Sequence, residues 1–503
     1  MKYILSPEFH RQLWLRFTPL RLLAAPVVLG LLTYLQTEFE ALALTMLFVY
    51  FFVVIVWGTL EAGTSVSTEM RTNTWDFQCM SSISPARLCF GKLFGATSYT
   101  WYVGLQALAI FGYAYAHDRV NPGPHTPIAD DTLDTVLGLF LAGLLGQAAA
   151  YLNYLVDLSS LQGRTTRALL PGGIGAFLMG VFIAGIALGF VSGNANHFQN
   201  LPPPEGYHVG WYGAAYNAQA FLLASLLFFV GWFLIGGWRL IRVELMYRNW
   251  PLVWVLFVVS LIAWDSGFLF SAQPVSDAVG HHARLAMPAR SDPVSLTKAA
   301  FYAFLQVAVI TYAAMLSEAA DLRKYARLAF FAKAGDLRRA LENTPKWCAT
   351  LPVAVVLYAW LLGASPDGGD AQEILRLTTI LSALSLFMLR DGIVIHGVHN
   401  LNKGRGGRFT ILLYFVMAYV LLPLVVLTAG GPSGIGPSLD QVFGDSGGLG
   451  GLRQAVAFFY PLVLAKPAFS ILPPFAEALV AAVGLHFILQ RRAAADIIAN
   501  TKA

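Results

Sequence analysis

The chain has 503 residues, 57% hydrophobic and only 12% charged, with a mean hydropathy of +0.61. Ordinary soluble domains are about a quarter charged, so a soluble enzyme is excluded and the chain reads as an integral membrane protein. The 33 Lys and Arg exceed the 28 Asp and Glu, yet they gather in segments between apolar runs rather than on one soluble face, so no nucleic-acid partner is expected.

The N-terminal stretch His10 to Arg21 alternates Leu13, Trp14 and Phe17 with Arg11, Arg16 and Arg21. It predicts an amphipathic segment on the membrane surface that leads into the first span, rather than a cleaved signal. Twelve apolar stretches follow, at 19–36, 40–60, 93–115, 133–157, 168–191, 214–238, 250–271, 297–317, 349–364, 373–390, 408–429 and 467–489. All are expected to be helices, because lipid-exposed strands would need a closed barrel. With both termini on the cytoplasmic side, only seven of the 33 basic residues fall outside, which suits the positive-inside rule. The expected fold is an all-α polytopic bundle of about twelve spans.

The chain also echoes itself. Leu13, Arg16, Pro19 and Leu20 before the first span match Leu245, Arg248, Pro251 and Leu252 before the seventh in the same register. Glu61-Ala62 and Glu318-Ala319 each open a loop of about 30 residues carrying a proline, Pro85 or Pro345, before the next span. The expectation is a parallel duplication, with a first six-span unit at 1–240 and a second at 241–503.

The loop from Glu61 to Lys92 is the most informative. Thr74 can cap a short helix bearing Trp75, Met80 and Ile83, which Ser84-Pro85 ends before the chain returns to the third span. Such an apolar face on the cytoplasmic side calls for a protein partner. Glu69 to Leu93, with Asn73-Thr74-Trp75-Asp76, Ser84-Pro85 and Gly91-Lys92-Leu93, resembles the type-2 ABC exporter permease family. The resemblance implies that the segment before the first span is an elbow helix. It also implies that Thr74, Trp75, Asp76, Phe77, Met80, Ile83, Ser84 and Pro85 dock an ATPase subunit. Partners would then be an ABC ATPase in two copies, with ATP and Mg held by that subunit, and membrane lipid. The route would lie between the two halves or against another permease chain, in a multi-pass protein of the bacterial inner membrane.

The second loop departs from that pattern. It keeps a short helix ending at Pro345 but lacks Thr-Trp-Asp, and it holds seven basic residues from Arg323 to Lys346. Asp336, Arg338, Arg339, Glu342 and Pro345 are candidates for a second docking element, or the basic run is a contact with anionic lipid. No Gly-x-x-x-x-Gly-Lys-[Ser/Thr] occurs, so the chain is expected not to hydrolyse ATP by itself.

Polar residues inside spans are costly and so mark candidates. Asp265 is read as a pathway group or a structural hydrogen bond, Asn153 and Gln147 as interhelical glue or substrate ligands, and Glu61 and Glu318 as ion-pair or transmission groups. Cys79, Cys89 and Cys348 have no metal-ligand spacing, and His396 and His399 near Asp391 form no redox array, so no metal is expected. Two other classes stay open: a lipid- or glycan-modifying membrane enzyme, and an ion-coupled secondary carrier.

Overall fold

The computed structural model describes residues 6–71, 75, 78, 80–81, 83–118, 130–160, 208–245, 247, 249–269, 296–317, 322–363, 371–401, 407–421 and 471–487. About 90% of these residues are helical. Two compact units divide it: Met1–Gly210 with Ala214–Asn249, and Trp211–Gly213 with Trp250–Ala503.

In the first unit α1 (Pro7–Arg16) starts where Ser6 accepts a hydrogen bond from the Phe9 backbone N–H and Pro7 fills the first position. Thr18 and Pro19 begin α2 (Pro19–Leu35) in the same way, and the two helices meet at a 67° bend. Pro26 does not break α2, which runs through it. Then come α3 (Phe39–Tyr50), a π-helical stretch Phe51–Trp57, α4 (Gly58–Arg71), α5 (Pro85–Ala96), α6 (Ser98–Asp118) and α7 (Asp130–Ser160). A small hairpin, β1 (His208–Trp211) and β2 (Ala214–Asn217), precedes α8 (Ala218–Glu244). Its two-residue turn, which is grouped with the second unit, has positive φ at Tyr212 (48°) and Gly213 (76°), the twist that matches paired strands.

The core of this unit gathers Met46, Tyr50 and Val54 with Phe111, Leu139 and Val230, and continues as Ala62, Val66, Leu88, Leu93, Tyr151 and Ile241. The widened π stretch leaves the Val54 carbonyl facing α7, where fully buried Gln147 donates to it at 3.2 Å. The same amide accepts from Trp101 Nε1 of α6 at 2.7 Å, so one side chain ties three helices. Gln147 is thus interhelical glue.

The second unit comprises α9 (Leu252–Leu269), α10 (Leu296–Ser317), α11 (Leu322–Lys333), α12 (Leu337–Glu342), α13 (Lys346–Gly363), α14 (Ala371–Leu401), α15 (Gly407–Val416) continuing as a π-helical turn Met417–Leu421, and α16 (Ile471–Phe487). Phe304, Ala308, Leu361, Leu381, Leu384 and Met388 form its described core.

Six helical stretches among the described residues are long and apolar enough to cross a membrane: Phe39–Val66, Thr132–Val156, Ala218–Glu244, Ala299–Leu316, Lys346–Gly363 and Leu375–Val398. The bent α1–α2 pair makes a seventh if counted as one span. The chain is therefore a helical membrane protein. The expected span at 168–191 lies outside the described residues.

Candidate functional site

In the first unit the site is built where α1 crosses α5. Gly91 and Gly95, one helical turn apart, let the two backbones close up: a Cβ on Gly91 would stand 3.2 Å from both Glu8 Cβ and Phe9 N, and one on Gly95 2.8 Å from Gln12 Cβ. Lys92 follows Gly91 and is completely buried. Its ammonium pairs with Glu69 of α4 and lies 3.5 Å from Glu8 of α1. Arg11 donates to Glu8 at 2.8 and 3.0 Å and also pairs with Glu69, while Gln12 donates to Glu8 at 3.0 Å. Two carboxylates thus face two cations, joining α1, α4 and α5.

Burial favours the neutral form of each ion, and the partners oppose it. At Glu8 burial would raise the carboxyl, but hydrogen bonds from Arg11 and Gln12 and the charge of Lys92 outweigh it and hold the group below the usual carboxylate range. The Arg11 guanidinium is pushed up, first by its hydrogen bond to Glu8. The Lys92 ammonium moves down because burial exceeds the attraction of Glu8 and Glu69. Lys92 also lies 5.3 Å from the centre of the Trp75 ring, a cation–π contact.

That contact corrects an expectation. Trp75 does not offer its ring to a partner: it is 6% exposed and packs among Ala62, Val66, Leu88 and Leu93. Among the described docking candidates Met80 is outward, 74% exposed, and Ile83 is partly buried against the same cluster. Ser84 caps α5 by accepting from the Arg87 N–H at 3.5 Å, and Pro85 takes its first position. Thr74, Asp76 and Phe77 lie outside the described residues, as does Glu318. Glu61 pairs with Arg16 at 2.5 Å and accepts from Trp57 Nε1 at 3.1 Å, which ties α4 to the end of α1.

In the second loop Asp336 caps α12 by accepting from the Arg339 N–H at 3.1 Å. Arg338 pairs with Glu342 at 3.6 Å and Arg339 with Asp336 at 3.3 Å, and Pro345 is buried. Asn153 is partly buried on α7, and Asp265 accepts a hydrogen bond from Gln306 of α10.

The second unit holds a cluster that the sequence reading missed. The run at 373–390 was expected to end at Arg390, but α14 continues through Arg390 and Asp391 to Leu401. Asp391 is wholly buried and accepts from Tyr312 at 2.8 Å, from Tyr414 at 2.5 Å, from Tyr419 at 2.5 Å and from Arg390 Nε at 2.9 Å. Arg390 also pairs with Glu477 of α16, donates to Tyr419 at 2.8 Å, and lies 4.6 Å from the Phe387 ring centre. Tyr419 stands in the π-helical turn Met417–Leu421. One cation therefore faces two carboxylates, with three phenols supplying donors. The available signals were an Arg-Asp doublet at the end of an apolar run and the lone Glu477 within another.

Among the described residues no three His, Cys, Asp or Glu side chains gather as a metal site. Comparison with models of protein families, with curated proteins and with solved structures gives no match.

Proposed function

We propose that the chain is the membrane-spanning subunit of an ATP-driven ABC transporter, an exporter, working with a separate ATPase subunit. In this reading it has twelve spans in two six-helix units and both termini in the cytoplasm, and it sits in a bacterial inner membrane. The observation that carries it is the joint at Lys92. The Trp75 ring packs over Lys92, which joins Glu8 of α1 and Glu69 of α4, and Met80 is left outward. A push on that residue would reach the elbow helix through Glu8 and Arg11 and the adjoining span through Glu69. This is the coupling that a permease requires, and it agrees with the resemblance of Glu69 to Leu93 to the type-2 exporter family. Substrate movement is then conformational, and ATP and Mg belong to the partner.

The test is co-purification of an ATPase with the tagged full chain from its native host. Met80→Asp alters an exposed residue, so folding stays intact while the ATPase is lost. Retention of the ATPase by this variant, or its absence from the wild type in several mild detergents, would sink the reading.

A second reading, an ion-coupled carrier, is favoured by the Arg390–Asp391–Glu477 cluster, because charge within apolar helices marks ion pathways. It predicts proton entry into dye-loaded proteoliposomes under an imposed potential, abolished by Glu477→Gln. Wild-type proteoliposomes that admit no protons would exclude it.

A further inference from the structure

The hairpin α11–α12 concentrates charge that neither cluster uses. Residues 322–346 carry seven basic residues against two acidic, an excess of five, which equals that of the entire chain at 33 against 28. Its turn is well defined: Gly335 has φ +73°, the Asp336 N–H bonds to the Phe331 carbonyl and the Gly335 N–H to that of Ala332. Arg339 then lies 5.7 Å from the Phe331 ring centre, folding α12 onto α11.

Both acidic residues are engaged inside the hairpin, Asp336 by Arg339 and Glu342 by Arg338. Arg327 and Lys333 are exposed and have no ion-pair partner among the described residues. Phe330 lies three residues from each, on the same helical face, and is 67% exposed; Leu337 is 71% exposed. The headgroup boundary of a bilayer accepts exposed aromatic area and uncompensated cations side by side.

The position of the hairpin selects the occupant. It hangs between α10 and α13, both of which contain candidate spans. Thr311 and Thr350, near the ends of those helices from which it hangs, share a hydrogen bond of 2.6 Å. Four residues separate Ser317 from Leu322 and three separate Glu342 from Lys346, so the tethers reach at most about 17 Å. Arg338 also lies 5.9 Å from the ring centre of Trp250, just before α9, and tryptophan is a residue of membrane interfaces.

We propose that α11–α12 is a binding surface for anionic lipid headgroups: Arg327 and Lys333 engage the phosphates while Phe330 and Leu337 enter the boundary with the acyl chains. The proposal rests on the chain being a membrane protein and not on an ATPase partner. It is tested on the full chain in nanodiscs of phosphatidylcholine, with or without phosphatidylglycerol, by amide hydrogen exchange over residues 322–342. Phosphatidylglycerol should slow exchange several-fold. The protection should vanish near 1 M salt, where the Debye length is about 3 Å. Neutralising one basic residue should shift the bound population about fivefold, so Arg327→Gln/Lys333→Gln should remove most of it while exchange in α10 and α13 stays as in the wild type. Equal exchange in the two discs would overturn the proposal, as would protection that needs an added ATPase subunit instead of the lipid. Loss of ATPase co-purification in Met80→Asp bears on neither result.

Discussion

The two buried ion clusters solve one problem differently. Around Lys92, two cations meet two carboxylates supplied by α1, α4 and α5, and the charges cancel within hydrogen-bonding reach. Around Asp391, a single Arg390 faces Asp391 and Glu477, and the deficit is covered by hydroxyls of Tyr312, Tyr414 and Tyr419. In the proposed reading the balanced cluster is a joint that transmits displacement between α1, α4 and α5. The unbalanced one leaves one carboxylate charge without a cation of its own. In the proposed reading mechanical coupling belongs to the first unit, and the second reading, an ion-coupled carrier, draws on the cluster of the second.

The contrast is broken most severely at Lys92. Lys92→Met leaves Glu8 and Glu69 buried with Arg11 alone between them, and removal of one partner from a buried ion pair costs about 3–5 kcal/mol. Thermal unfolding of the purified chain in detergent should show a large drop in the midpoint. Lys92→Met combined with Glu69→Leu should recover part of it, since an uncompensated charge is worse than none. A single variant as stable as the wild type would show that the cluster is not a joint.

Asp391→Asn should have the next largest effect. The amide still accepts from the phenols but no longer balances Arg390, which keeps only Glu477, and hydrogen bonds to charged groups contribute about 1.5–3 kcal/mol. The loss should be recovered in part by Arg390→Gln in the same chain, and a double-mutant cycle measures the coupling. Additivity of the two changes would mean that Arg390 and Asp391 do not depend on each other.

How much of this was legible depended on sequence distance. Local devices were readable in part: Ser84-Pro85, expected to end a short helix, caps and starts α5, the short helix before Pro345 is present, and the basic stretch at 10–21 covers the end of α1, the sharp bend and the start of α2. Windows of apolar residues found most helices, but they end at the first charge, which is why α14 was cut at Arg390 although it runs on to Leu401. The groups that make Arg390-Asp391 tolerable lie 23 to 87 residues away, and no local pattern announces them. Likewise Gly91-Lys92 reads as a motif, but its reasons, a close approach by α1 and neutralisation by Glu8 and Glu69, exist only in the packed structure. Trp75 shows the converse error: an aromatic in a loop reads as a docking face, yet its ring closes over Lys92 and is covered.

The smallest expected effect sharpens the comparison by pH. Glu8 protonates at lower pH in the folded chain than in the unfolded one, because its hydrogen bonds from Arg11 and Gln12 and the charge of Lys92 overcome the effect of burial. Its contribution to stability is therefore fully present above the unfolded carboxylate value of about 4.3, and it is lost as the pH falls through the lower folded value. The midpoint of unfolding, followed from neutral pH down through that window, should fall more steeply in the wild type than in Glu8→Gln, which has no proton to take up at this position. A wild type that instead gains stability relative to Glu8→Gln as the pH falls toward about 4.3 would mean that Glu8 is already neutral in the fold. The first cluster would then carry two cations against one carboxylate, the mirror image of the second, and it could no longer be distinguished from it as the balanced joint.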